Sequence, residues 1–157
     1  MNQNSIKLVA TDIDGVWTDA KMHYNKDGEF MKSFSTYDGM AVEILRKHNI
    51  ETVIMTSENS DIVLQRAKKL KIKEVHIGEK NKLNRIKTIC HKKNISLHDV
   101  AYIGDDINDV EVLKEVGFSA LTCNSPIKNK IKVDYITKLK GGNGAFREFV
   151  DIILKEK

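Results

Sequence analysis

Apolar positions along the chain follow two alternating rhythms. Short, β-branched or wholly apolar runs, "IKLVAT" (6–11), "ETVIMT" (51–56), "EVHIG" (74–78), "VAYI" (100–103) and "FSALT" (118–122), have the length and composition of buried strands. Between them the apolar residues recur at helical spacing. The segments "DGMAVEILRKHN" (38–49), "SDIVLQRAKKLK" (60–71), "NKLNRIKTICHKK" (81–93), "INDVEVLKEVG" (107–117) and "GAFREFVDIILKEK" (144–157) predict amphipathic helices. Ser60 stands where an N-cap belongs and Gly117 where a helix stops. "SPIKNKIK" (125–132) predicts a further helix opened by Pro126 at its first position. "KMHYN" (21–25) and "EFMKSFS" (29–35) flank the turn "KDG" and predict one early β-hairpin.

Strands alternating with helices predict a parallel sheet with helices on both faces. Nothing in the pattern divides the chain, so 1–157 is expected to be a single α/β domain, with a hairpin at 19–36 and a C-terminal tail at 140–157. In such sheets ligands bind beyond the C-terminal ends of the strands. The residues at those ends therefore carry the functional question.

Composition narrows the classes. The 157 residues are 41% hydrophobic and 31% charged, enough for one core and a polar surface. The net charge of +4 suits a small anionic ligand, and with aromatics at 6% there is no basic, aromatic-interleaved stripe for nucleic acid. Cys90 and Cys123 form no CxxC and read as packed, reduced thiols. The N-terminal residues contain no long apolar stretch of a signal peptide, and no run approaches the ~18–20 apolar residues of a membrane span. A cytoplasmic protein that contacts no membrane is expected.

Carboxylates collect at the predicted strand ends. "ATDIDGVWTDA" (10–20) sets Asp12, Asp14 and Asp19 within eight positions after the first strand. Thr56, Ser57 and Glu58 follow the second, Lys82 follows the third, and "GDDIND" brings Asp105, Asp106, Asn108 and Asp109 after the fourth. Crowded carboxylates need a cation, and hard oxygen ligands select Mg²⁺. An aspartate beside such a cation and a lysine can attack phosphorus. A second carboxylate two residues on can exchange protons with the leaving oxygen and with water. Asp19 reads as shaping the hairpin, Trp17 as packing, and Gly15 as permitting the turn. "GGNG" (141–144) is weak as a nucleotide loop, because it does not complete a strand–turn–helix fingerprint.

"DIDGVWTD", then Thr56, Lys82 and "GDDIND" in that order, resemble the four motifs of the haloacid dehalogenase superfamily. The resemblance covers most of the chain and implies a Rossmann-like three-layer α/β/α fold. It implies that Asp12 is the nucleophile and Asp14 the general acid/base. Thr56, with the Ser57 amide, and Lys82 would bind the phosphoryl group. Asp12, the Asp14 backbone carbonyl and Asp105 would hold Mg²⁺ with Asp106 in support, and Asn108 would orient phosphate or nucleophile. A receiver domain shares this chemistry, but it carries its acceptor on the third strand and its lysine last, which is not the order here.

About 40 residues separate Asp14 from Thr56 and about 25 separate Thr56 from Lys82, too few for a large cap domain. "TDIDGVWTD", "FSTYDG", "IGDDINDVEVL" and "GGNGAFREF" are similar to the capless branch that dephosphorylates 2-keto-3-deoxy sugar acids. That branch implies a homotetramer and a C-terminal segment able to reach a neighbour's site. "TSE" in place of "TGR", with Glu58, Arg66 and Lys69, matches the subgroup acting on nonulosonate 9-phosphates (deaminoneuraminate or N-acetylneuraminate). On that resemblance a nine-carbon substrate ranks first and 3-deoxy-manno-octulosonate 8-phosphate is the alternative. Arg66 and Lys69, three apart on one helix, share a face and could clasp a sugar carboxylate. A non-catalytic alternative is a partner domain for a sugar-acid cytidylyltransferase.

Overall fold

β1 (Leu8–Thr11) has no exposed residue, and its two faces feed two different cores. Leu8 and Ala10 join one apolar cluster and Val9 joins the other, as the two-residue period of a strand requires. The same division holds in β4 (Glu51–Met55), with Val53 and Met55 opposed to Ile54, and in β6 (Val100–Gly104), with Val100 and Tyr102 opposed to Ala101 and Ile103. Strands covered on both sides read as continuous apolar runs, which is why they were legible. The structure, a computed structural model, describes residues 6–155.

β4, β6, β5 (Glu74–His76), β7 (Phe118–Leu121) and β8 (Tyr135–Ile136) form with β1 a six-stranded sheet of order β5-β4-β1-β6-β7-β8. Every pairing in it is parallel. α1 (Thr36–Lys47), α2 (Asp61–Lys69) and α5 (Ala145–Lys155) cover one face through Leu45, Val63, Phe146 and Phe149. α3 (Lys82–Lys93) and α4 (Val110–Glu115) cover the other through Ile86, Ile89 and Leu113. β2 (His23–Asn25) and β3 (Gly28–Met31) form a separate antiparallel hairpin. The architecture is the expected Rossmann-like three-layer α/β/α fold, with a hairpin and no cap domain.

Several local expectations change. α1 begins at Thr36, ahead of Asp38, because the Ser35 hydroxyl accepts the Tyr37 N–H. Residues 125–132 form turns rather than a helix. Their amides reach back three residues, Lys128 to Ser125 and Lys130 to Ile127, and Ile127 is the one deeply buried apolar side chain there. A helix with almost nothing to bury has little to hold it. Gly117 lies beyond α4, yet no left-handed turn requires it; a Cβ there would strike the His98 carbonyl. β8, two residues long, is too short to stand out in the sequence pattern, although Ile131, Val133 and Tyr135 alternate in burial with their neighbours. It is held by Asp134, whose carboxylate accepts the Ser119 N–H and hydroxyl at 2.8 and 2.9 Å. The C-terminal residues 145–155 are no free tail: Phe146, Phe149 and Val150 are wholly buried in this chain's own core. Trp17 packs as expected, its ring 4.8 Å from that of Phe146 and its indole N–H donating to the Thr11 hydroxyl.

Candidate active site

β1 is central, so its C-terminal end opens into the middle of the rim. Asp12 follows it directly and is nearly buried. One oxygen accepts the Ile13 N–H at 2.7 Å and the other the Lys82 ammonium at 2.7 Å. Lys82 opens α3, whose N-cap Asn81 accepts the Asn84 N–H. From there it passes under the rim and also donates to Asp109 at 2.7 Å. Burial alone would lower the lysine's pKa, but the charges of Asp12 and Asp109 outweigh it and hold the ammonium above its usual value.

Asp109 has a role that its place in "GDDIND" does not reveal. Its Oδ1 accepts Lys82 and the Tyr102 hydroxyl; its Oδ2 accepts the amides of Asp105 and Asp106 at 2.8 and 3.3 Å. With four donors its valences are filled, so it organises the others. Carboxylate oxygens of Asp12, Asp105 and Asp109 lie within 4.8 Å of one another. Asp106 caps the following turn through the Ile107 N–H and also lines the cleft. Burial, then the charges of Asp12, Asp109 and Asp106, push Asp105 up to about 8. Burial and Asp109 push Asp12 up to about 7 against the pull of Lys82. Such crowding is the condition a divalent cation relieves. Asp105 takes no protein hydrogen-bond donor on its carboxylate among the described contacts, and its carboxylate lies where a Cβ on residue 15 would sit. Gly15, at φ +85°, thus both turns the chain and makes room.

Asp12, Asp14, Thr56, Ser57, Glu58, Asp105, Asp106 and Asn108 line one cleft of about 200 Å³, with Met22 of the hairpin base at its edge. The Asn108 amide donates to the Ser57 hydroxyl at 3.0 Å, joining two rim loops. Larger clefts of about 450 and 540 Å³ lie elsewhere, around Glu51 and along α5. Neither collects the carboxylates, so chemistry and not volume selects the site. Arg66 and Lys69 do not reach it in the single chain. α2 starts near the rim and descends ~1.5 Å per residue. Arg66 donates to the Ser35 carbonyl and lies 5.5 Å from the Phe34 ring centre, while Lys69 is exposed.

Two contributors carry no local sequence signal. Lys32, just past β3, has a fully buried side chain paired with Asp14 at 2.6 Å and Glu29 at 2.7 Å. The Gly141–Gly142 turn braces the loop after Asp14: the Gly142 N–H donates to the Val16 carbonyl, and a Cβ on Gly141 would strike the Gly15 carbonyl. That is the structural use of "GGNG". Asp19 stays out of the cleft, accepting the Lys21 N–H.

A central-strand nucleophile position, a lysine from α3 and an acidic loop after β6 define a hydrolase of the haloacid dehalogenase type. The chain belongs to that family: the model for haloacid dehalogenase-like hydrolases matches residues 19–148. Similar proteins include phosphatases of one sugar acid phosphate. The 3-deoxy-D-manno-octulosonate 8-phosphate phosphatase of Haemophilus influenzae is 35% identical over 151 residues, covering 96% of this chain and 84% of that protein. The Escherichia coli K12 enzyme of the same name is 33% identical, covering 96% and 80%. The Moraxella catarrhalis phosphatase, solved with magnesium, phosphate and KDO, superposes with a TM-score of 0.94 at 36% identity, covering 99% of this chain and 90% of that one. The cobalt-bound Haemophilus influenzae phosphatase also gives 0.94, at 34% identity and with 99% and 91% covered.

Proposed function

We propose that this protein is a Mg²⁺-dependent phosphatase of a 2-keto-3-deoxy sugar acid, acting on 3-deoxy-D-manno-octulosonate 8-phosphate through phospho-Asp12. The observation that carries the chemistry is the buried Asp12 carboxylate, paired with Lys82 at 2.7 Å and sharing a cleft with Asp14, Thr56 and Asp105. Asp12, Asp105 and the Asp14 backbone carbonyl, with Asp106 beside them, would hold Mg²⁺, which when bound neutralises charge on the phosphoryl oxygens. An oxygen of Asp12 attacks phosphorus, and the bond from phosphorus to the sugar oxygen breaks. Asp14 gives that oxygen its proton. Asp14 then takes a proton from water, whose oxygen attacks the phosphorus of phospho-Asp12. The phosphorus–Asp12 bond breaks, phosphate leaves, and both side chains return to their starting state. Thr56, the Ser57 amide and Lys82 bind the phosphoryl oxygens, and Asn108 steadies that loop through Ser57.

The named relatives support the eight-carbon substrate over the nine-carbon one that the sequence motif ranks first. Of the three residues behind the nine-carbon ranking, Arg66 and Lys69 lie away from the cleft, and Glu58 lines it. Glu58 is the observation that keeps nonulosonate 9-phosphates as the second reading. Comparison of kcat/KM for the two substrates tests the choice. A higher value for the octulosonate is expected, and a reversed ratio returns the nine-carbon reading. Asp12→Asn retaining wild-type turnover would sink the mechanism. Repeated turnover also excludes a receiver, and a role only as cytidylyltransferase partner.

A cleft of about 200 Å³ holds the phosphate end but not a whole sugar acid, since pockets that enclose ligands of that size run to ~300 Å³ or more. The hairpin meanwhile exposes Tyr24 and Phe30 at 60% and 54%. Both facts support a homotetramer in which a neighbour completes the site, within the cytoplasm, where free Cys90 and Cys123 stay reduced. Sedimentation checks the assembly; a monomer at micromolar concentration would rule it out.

A further inference from the structure

Asp14 is gripped on one side only. Its Oδ1 lies 2.6 Å from the Lys32 ammonium and 3.5 Å from the Thr18 hydroxyl. Its Oδ2 is buried and has no protein partner, in a residue that lines the cleft. Lys32 has no exposed side-chain surface, so it cannot serve as a substrate contact in this arrangement. Its ammonium is shared with Glu29 at 2.7 Å and touches the Met22 sulfur at 3.5 Å. Glu29 is itself tied to α2 by the Ser60 hydroxyl at 2.5 Å. The chain Ser60–Glu29–Lys32–Asp14 therefore links the N-cap of α2, the hairpin and the turn after β1. A buried cation is costly unless it is paired; here Asp14 accepts a hydrogen bond from it and Glu29 sits beside it as an ion pair at 2.7 Å.

We propose that Lys32 is a positioning residue for the acid–base carboxylate: it clamps Oδ1 of Asp14 and so sets the rotamer in which that carboxylate meets the cleft. Glu29 keeps Lys32 in place, so the seating of the hairpin governs the aim of Asp14. This rests on the reading of Asp14 as the proton donor, in which the proton leaves its carboxyl group as the phosphorus–oxygen bond to the sugar breaks.

The leaving group separates aiming from general damage. A sugar alkoxide needs the proton, whereas p-nitrophenolate departs without one. Lys32→Met is expected to lower kcat/KM on the sugar phosphate by about 10- to 100-fold, within the range of general acid catalysis, with KM changed less than about threefold. Its loss on p-nitrophenyl phosphate should be at least about fivefold smaller. Equal losses on both esters, or no loss, would overturn the proposal. If K32M does not fold, the isosteric Glu29→Gln carries the same comparison: a ratio of the two activities shifted against the sugar phosphate is expected, and an unchanged ratio overturns it. Asp14→Asn, run alongside, distinguishes the failures. If D14N turns over the sugar phosphate normally, the acid–base reading falls; if D14N is inactive while K32M shows no selective loss, only the role of Lys32 falls.

Discussion

Asp109 serves four donors from three directions, and removing one of its oxygens has a defined consequence. Asp109→Asn keeps the shape but turns an N–H₂ toward donors that need an acceptor. Whichever way the amide turns, its N–H₂ faces either Lys82 and Tyr102 or the Asp105 and Asp106 amides, and Lys82 loses a fully buried counter-charge. The expected cost is about 3 kcal/mol by urea denaturation, the scale for breaking a buried ion pair from one side. Turnover should fall with it, because Lys82 is then held by Asp12 alone. Tyr102→Phe, which removes one donor and leaves the lysine paired, should cost only about 1–2 kcal/mol. The residue types at the rim were readable from spacing; the distinction between Asp105, which is left open, and Asp109, which is saturated, was not. It depends on which lone pairs the fold has already filled.

Among the elements, α5 is anchored from far along the chain. Asp38 in α1 is fully buried and accepts the Arg147 N–H at 2.9 Å, near the start of α5. Burial pushes its carboxyl from 3.8 up to about 6, against the backbone donors of Arg147 and Gly144 and the charge of Arg66. A raised pKa means the folded state holds the proton more tightly than the unfolded chain. Its stabilising effect is therefore complete below pH 3.8 and is lost as pH rises through about 6. The difference is on the order of 3 kcal/mol. Asp38→Asn keeps an acceptor for Arg147 but cannot titrate. The stability difference between D38N and wild type, followed by denaturation from pH 4 to 7, should shift in favour of D38N as pH rises. A difference that does not move with pH would refute it. The Gly141 turn makes a second prediction. Gly141→Ala pushes on the Gly15 carbonyl and should lower kcat more than it lowers the melting temperature. Helices and strands were legible because each has one strong period. The trans cap at Asp38 and the brace at Gly141 were not, since they pair residues about 110 and 125 positions apart.

For the molecule as a whole, the C-terminal segment is part of the core. Removing residues from Lys140 onward takes away Phe146, Phe149, Val150 and Ile153, all buried. Such a truncation should give an unfolded or aggregated chain in circular dichroism, rather than an active enzyme with a raised KM. Loss of several large core side chains, each worth ~3–5 kcal/mol for an aromatic, exceeds the ordinary stability of a domain. Sequence alone determined the alternation of strands and helices, the rim at the strand ends and the carboxylates, hydroxyl and lysine that occupy it. Those follow from local periodicity and from chain order, which a linear pattern contains. Only the tertiary structure decided which carboxylate is left open, that Lys32 holds Asp14, that Arg66 and Lys69 stand away from the cleft, and that residues 125–132 stay unwound. Each of these turns on what lies within about 3 Å of a side chain after folding, and the neighbours at that distance come from other parts of the chain.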